Sequence, residues 1–387
     1  RTLHICRNKR FSIVSKCFIM KFKCKKTDLV QALSIVMKAV SPKPQTPILS
    51  GIHIKAENNQ IVLQATDYQL GIICNIPAEV DIAGSAVLAG RYAQEIIRRL
   101  PGEDVDIEYS AEEKMIYIKS NRSRFSILSM EAEDYPTIAK FEGQHNFQIS
   151  DITLRDLIVY TSFACSADEA RPVFTGCLMD LQEEKVTMVA TNTHRMAIKS
   201  DRLEDFHGNQ RMIIPGKLLN ELSKVLQSDM PRTVNISCSN TQISFEVDNV
   251  YISSRLIDGK YPDYARAVPL DFKTNITMQT EEIRGIIDRV ALISRTNDYN
   301  VVTLEFSNGM VKISSMNPEI GNGEEYGTAV IDGEDIRIAF NADYLNDALK
   351  LIKEQEFTLS VNGPLSSAAI RTASDPYFTY IVTPVRS

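Results

Sequence analysis

Apolar residues recur at helical spacing in six stretches of this chain, and three of those stretches are versions of one another. Ala89–Leu100 (AGRYAQEIIRRL), Pro215–Leu226 (PGKLLNELSKVL) and Asn341–Ile352 (NADYLNDALKLI) stand 126 residues apart, with Gly90, Gly216 and Ala342 in register. The apolar positions fall at i, i+4 and i+8 in each: Tyr92, Ile96, Leu100; Leu218, Leu222, Leu226; Tyr344, Ala348, Ile352. That spacing lines one buried helix face. An acidic residue follows the first anchor by three positions every time, as Glu95, Glu221 and Asp347. The period exceeds the roughly 20–50 residues of solenoid units. It has the size of a small domain, so the chain is one domain written three times.

Each repeat has the same plan of two helices, each followed by short strands. In the first, Thr27–Val40 presents Leu29, Val30, Leu33, Val36 and Met37 on one face with Thr27 as N-cap, and Pro42, Pro44 and Pro47 end it. Ile48–Asp67 alternates around Asn58–Asn59 as a hairpin, a strand follows over Gln69–Ile76, and after the second helix come DVDIEYS, MIYIKS and RFSILSM. The second repeat has a helix over Thr153–Ser166, a hairpin over Phe174–Asn192 and strands within Thr233–Ile257. The third has a helix over Thr280–Ser294, a hairpin turning at Asn308–Gly309, the strands FTLSVNG and AAIRTA, and an end on YFTYIVTPVRS that runs into a free tail. Tyr135–Pro136 and Tyr261–Pro262, again 126 apart, are expected to be linkers, because proline cannot join a ladder. The fold class is α+β: three tandem domains, each with two helices on one face of antiparallel sheet, over 20–141, 142–269 and 270–387. Such sheets have edges, and an open edge is a pairing site.

Composition changes this picture little. The 387 residues suit two to three domains and 44% are apolar, enough for a core in each. Seven scattered cysteines without a C-x-x-C pair fit free thiols in a reducing cytoplasm rather than a zinc site. No run reaches the roughly 18 apolar residues of a membrane span. Residues 1–19 hold five basic residues and no acid, and are read as an extension outside the fold, with a basic DNA-contacting arm as the alternative. Formal net charge is −6, and without those five bases it is −11. The helical segments nevertheless sum to +4, which suits either ordinary solvated Lys and Arg or a helical surface facing phosphate above an acidic remainder.

Catalytic patterns are scarce. His194, in ATNTHRMAI, has no second His at metal spacing, and no G-x-S-x-G elbow occurs, so a structural or binding histidine is the better reading. Gly216–Lys217 and Gly259–Lys260 lack the frame of a phosphate loop. An open single-strand-binding scaffold would want aromatic stacking platforms, but the chain has no Trp and many of its Tyr and Phe fall at alternating core positions.

MKFKCKKTDLVQAL, TPILSGIHI, SNRSRFSILSMEAEDYP, ATNTHRMAIKS, IDGKYPDYARAVP and YIVTPVRS, in this order on a triplicated α+β unit, resemble the bacterial DNA polymerase III β subunits, the sliding clamps. The resemblance runs from Met20 to Ser387. It implies a non-catalytic processivity factor without cofactor or metal: a head-to-tail homodimeric ring whose helices face duplex DNA, bound without regard to sequence. It further implies a cytoplasmic location and, as partners, the polymerase III catalytic subunit, the clamp loader and other proteins bearing a clamp-binding motif. By the family motifs, the peptide site would comprise Phe174, Thr191, Thr193, His194, Arg195, Met196, Pro262, Arg266, Ala267, Leu365, Ser367, Val382, Thr383, Pro384, Val385 and Arg386. Arg195 and Arg266 would bond the peptide's carbonyls or acids. From the residues alone, Phe174, Met196 and Val382 are equally ordinary core. Lys43, Arg91, Arg98, Arg99, Arg171, Lys217 and Lys224 would stand on the DNA-facing lining or its rims, and Phe125 would meet Leu292 and Ile293 of a second copy. The sequence departs from the family in having Asn192–Thr193 where Asp-Gly is common, and Thr383 and Val385 where Met often flanks the tail proline.

Overall fold

The computed structural model describes residues 18–386 apart from 42, 43, 45, 205, 207, 229 and 296–299. The chain forms two compact units, one running to Lys140 with Asp248–Ser253 added, the other made of Phe141–Val247 and Ser254–Ser387.

Up to Lys140 the described residues of the first unit form helices α1 (Lys26–Val36) and α2 (Gly90–Arg98) and nine antiparallel strands. In space these run Leu70–Pro77, Gln60–Thr66, Gly51–Glu57, Gly84–Ala89, Ser123–Met130, Met115–Ser120, Asp104–Ser110, Met20–Lys25, Glu79–Ile82. The hairpin at Asn58–Asn59 is as expected: both residues have positive φ (50° and 56°), the conformation a two-residue turn of this hand needs. Alternation works as a burial code, since Met20, Phe22 and Cys24 point inward while Lys21, Lys23 and Lys25 do not.

The second unit holds α3 (Asp151–Val159), α4 (Gly216–Val225), α5 (Thr280–Ser294) and α6 (Ala342–Leu349). Its second and third repeats share one sheet, because Arg195–Arg202 pairs with Phe378–Val382 in the register Arg195 with Val382 and Met196 with Ile381. One contact recurs in all three repeats: the first residue of the leading helix donates its N–H to the loop after the second helix. The pairs are Lys26 to Glu103 O (2.8 Å), Asp151 to Arg232 O (2.9 Å) and Thr280 to Gln355 O (2.9 Å).

Several expectations are corrected. Thr27 does not cap α1; Lys25 is the N-cap and Thr27 Oγ1 donates to Asp28. Helix α2 buries Ala93 and Ile97, leaving Tyr92 70% exposed and Ile96 half-buried, so its inner face is turned one residue from the expected one, although Leu100, just past its end, is buried as expected. In α4 the expected Leu218, Leu222 and Leu226 are buried. The helix expected over Thr153–Ser166 begins at Asp151, with Ser150 accepting from Ile152 N–H, and gives way to a 3-10 turn at Ser162–Ala164. Strands unforeseen in the sequence precede each second helix: Gly84–Ala89, Asn209–Pro215 and Ile336–Asn341. In the stretches expected to be linkers, Tyr135 and Tyr261 are anchored on the preceding domain. Tyr135 packs on Ile48, Leu49 and Val87 and donates to Gly51 O (3.2 Å), and Tyr261 donates to Val189 O (3.3 Å). Burial pushes both phenols up, that of Tyr135 to about 12.

Candidate peptide-docking cleft and nucleic-acid face

The seam between the second and third repeats collects most of the residues expected to hold a peptide. Leu178, Val189, Met196, Ile213, Tyr261, Ala369 and Ile381 form one buried cluster, with Tyr264 and Val268 packed against it. The short 3-10 turn Tyr264–Ala267 thereby holds Arg266 and Ala267 exposed at the rim, beside exposed Pro262. Phe174 meets Tyr261 edge to face at 6.2 Å, which joins the Phe174 loop to the same wall. Val382 is fully buried, opposite Ala368; Ser367 comes next, half-buried, and Leu365 stands 68% exposed two residues earlier.

The C-terminal segment is pinned, not free. Thr383 donates to His194 O through both its N–H (2.9 Å) and Oγ1 (2.8 Å), and Val385 N–H donates to Ala339 O (2.8 Å). The hydroxyl that replaces a common Met is therefore satisfied by the turn beside it. Thr383, Pro384 and Val385 stay half-buried and Arg386 exposed, so apolar surface remains along the segment.

His194 sits exposed on a tight turn. Thr191 Oγ1 donates to Arg195 O (2.7 Å), and Asn192 Oδ1 accepts from the N–H groups of His194 and Arg195 (3.0 Å each). Asn192 thus supplies the acceptor an Asp would. Thr193, where the family often has Gly, has φ 76°. The imidazole is left exposed, on a turn built from hydrogen bonds of the Thr191 and Asn192 side chains to the backbone.

Arg195 has a different position from the one expected. Its guanidinium points inward, donating to Asp347 Oδ2 (2.6 Å) and Phe163 O (2.6 Å) between the rings of Tyr344 (4.6 Å) and Phe163 (5.4 Å). Burial alone would lower its pKa, but Tyr380 and Asp347 outweigh that and hold it above the ordinary arginine range. It ties two repeats together, and Arg266, 87% exposed and paired with Asp263 at 2.9 Å, is the cation open to a ligand. Asp347, Tyr344 and Phe163 were missed as parts of this site, although Asp347 occupies the repeated acidic position that could have flagged it.

The basic residues divide. Arg91, Arg98 and Arg99 project from α2, and Lys217 and Lys224 from α4, all exposed. Glu95 Oε2 lies 3.2 Å from Arg98 and 2.9 Å from Arg99, and Glu221 lies 2.9 Å from Lys224. Exposed pairs of this kind are worth about 0–1 kcal/mol, so the cations can exchange to phosphate. Arg171 is on no helix; it lies over Phe174 (5.8 Å) and pairs with Asp168 (3.1 Å), beside the cleft. Lys43 lies outside the described residues.

Both units also present half-paired strands. Among the described residues, Ser123–Leu128 pairs only with Met115–Ser120, and Phe125 (44%) and Leu128 (70%) are exposed on it. In the second unit, residues 321–328 pair, among the described residues, only with Met310–Asn317, and Tyr326 is 57% exposed. Helix α5 flanks that strand: Arg289 pairs with Glu325 (2.7 Å), and Ile293 comes so close to Gly323 that a Cβ there would lie 3.3 Å away. Leu292, 56% exposed, is its neighbour. Leu128 and Tyr326 were not singled out in the sequence.

Among the described residues, no group of three or more His, Cys, Asp or Glu could hold a metal ion, and no helix is long and apolar enough to cross a membrane.

Comparison with known proteins gives a consistent result. Family models of the DNA polymerase III beta subunit match in sequence, the N-terminal domain over 20–139, the central domain over 148–263 and the C-terminal domain over 265–386. The beta sliding clamp of Staphylococcus epidermidis is 33% identical over 378 residues, covering 95% of this chain and all of that protein. Among solved structures, the DNA polymerase sliding clamp from Bacillus subtilis superposes with a TM-score of 0.89 at 35% identity, over 95% of this chain and 99% of that one. The DNA polymerase III beta chain of Streptococcus pneumoniae gives 0.90 at 31%, over 95% and 100%. With its threefold α+β repeat matched domain by domain, this chain belongs to the DNA polymerase III beta subunit family.

Proposed function

We propose that two copies of this chain close head to tail around duplex DNA, and that the cleft at the seam of the second and third repeats tethers the polymerase III catalytic subunit. The protein is a sliding clamp, a non-catalytic processivity factor of replication. Sequence-independent contact comes from Arg91, Arg98, Arg99, Lys217 and Lys224, whose exposed cations suit backbone phosphate rather than base edges. The clamp loader and other proteins with a clamp-binding motif use the same cleft, in the cytoplasm.

The observation that carries the tether is the C-terminal segment itself. It is fixed by His194 and Ala339, yet keeps Thr383, Pro384 and Val385 half-exposed, while Pro262, Arg266 and Leu365 are exposed on segments flanking a buried cluster that includes Tyr261, Ala369 and Ile381. An apolar strip with a few fixed polar groups is how short linear peptides are held.

The two arginines give the test. Fluorescence anisotropy with a labelled clamp-motif peptide should show Arg266→Ala weakening binding by about tenfold, with the loss largest at low salt and folding unchanged. Arg195→Met should instead lower stability by about 2–3 kcal/mol, the size of charge-assisted hydrogen bonds removed. Unchanged affinity in Arg266→Ala and in a companion Leu365→Ala would count against the site.

A further inference from the structure

We propose that Cys165 and Cys177 are a peroxide-sensitive dithiol whose disulfide draws in the loop that carries Phe174 and Arg171. The two sulfurs lie 3.5 Å apart; the other described cysteines, Cys24, Cys74 and Cys238, are buried. A disulfide bond is about 2 Å long, so the pair needs only a small approach.

The surroundings give the two thiols different roles. Cys165 follows the 3-10 turn Ser162–Ala164 and is half-buried; Cys177 is the second residue of the strand Gly176–Gln182 and is fully buried. The hydrogen bond with Cys165, together with burial, holds the Cys177 thiol well above the ordinary range, so it stays protonated at rest. Cys165 is therefore the sulfur a peroxide meets first. It takes up a hydroxyl from hydrogen peroxide to become a sulfenic acid, and its proton leaves with the other half of the peroxide as water. Cys177 sulfur then attacks the sulfenic sulfur, and the displaced hydroxide leaves with the Cys177 proton as a second water. Two thiols are oxidised by one electron each and one peroxide is reduced by two.

The cross-link would close residues 166–176 into a ring. Its ends are already held by the Ser166 N–H bond to Phe174 O (2.8 Å), and Phe174 touches Tyr261 in the cleft wall. On the other side, a Cβ at Gly216 would lie 3.1 Å from Cys165 Sγ, so α4 leaves the sulfur little room to retreat. Moving Cys165 inward pulls on Phe163, whose carbonyl holds Arg195. The consequence for docking rests on the peptide-cleft reading; the disulfide itself does not.

The full chain is treated with hydrogen peroxide, its remaining thiols are blocked, and digests are mapped by mass spectrometry. In parallel, anisotropy of a labelled clamp-motif peptide is measured before oxidation, after it, and after dithiothreitol. The expected result is a Cys165–Cys177 cross-linked peptide that dithiothreitol abolishes, with affinity weakened by about tenfold and then restored, as for displacement of one wall of a binding pocket. Cys165→Ser and Cys177→Ala should each be insensitive. Cys165 that stops at sulfinic acid, or links to another cysteine, overturns the dithiol. A cross-link with unchanged affinity overturns its coupling to the cleft, and absence of peptide binding in the reduced protein overturns the cleft reading instead.

Discussion

The turn that presents His194 is used twice. In the first unit Thr66 Oγ1 donates to Leu70 O (2.9 Å), while Asp67 Oδ1 accepts from Gln69 and Leu70 N–H groups (3.0 and 2.7 Å). Thr191, Asn192 and Arg195 repeat this with the same geometry. The third residue has positive φ in both, Tyr68 at 72° and Thr193 at 76°. A β-branched residue there is strained by about 1–3 kcal/mol, against which glycine would add about 0.5–1 kcal/mol of chain entropy to lose. Thr193→Gly should therefore stabilise the protein by about 1 kcal/mol, read as a higher urea midpoint with unchanged slope. A lower midpoint would show that the Thr193 side chain has compensating contacts. Residue type was legible here and residue direction was not. Thr191, His194 and Met196 fall on one turn and the strand that follows it, as the motif groups them, but whether Arg195 faced a ligand or Asp347 depended on a partner 152 positions away in the chain.

The repeated acidic position gives the helices their character. Glu95 and Glu221 neutralise cations on their own helices, whereas Asp347 reaches across to Arg195. In the proposed ring, such tempered cations would face phosphate without holding it tightly. Glu95→Gln with Glu221→Gln should raise affinity for linear duplex DNA several-fold at low salt, with the gain vanishing as salt is raised. Equal affinity at low salt would mean that α2 and α4 do not face DNA. Helices with a wide apolar stripe, such as Thr280–Ser294, were legible to the residue. Helix α2 was not, because small Ala93 takes an inward position while Tyr92 faces out. The strands GSAVLA, NQRMIIP and IRIAFN bury consecutive residues, so they lack the alternation that marks a half-buried strand.

For the whole molecule, the threefold repeat was legible because 126-residue spacing survives in anchors and motifs alike. The half-paired edges were not, since nothing in RFSIL or EEYGT distinguishes an edge strand from an inner one. Those edges carry opposite charge: Arg122 precedes one and Arg124 lies in it, and Glu324 and Glu325 lie in the other. In the proposed dimer they pair, with Phe125 and Leu128 against Leu292 and Ile293. Leu292→Ala with Ile293→Ala should shift dissociation, followed by light scattering over a dilution series, to at least about tenfold higher concentration. A variant that stays dimeric at the same dilution as the parent would remove those residues from the joint.

Topology is the central claim, and it can be read directly. The protein is loaded with a clamp loader and ATP onto a nicked circular plasmid, freed of unbound protein by gel filtration, and the plasmid is then cut once. The account predicts co-elution with the circle at moderate salt and release on linearisation, because enclosure rather than affinity retains the clamp. Equal retention on circular and linear DNA would contradict it.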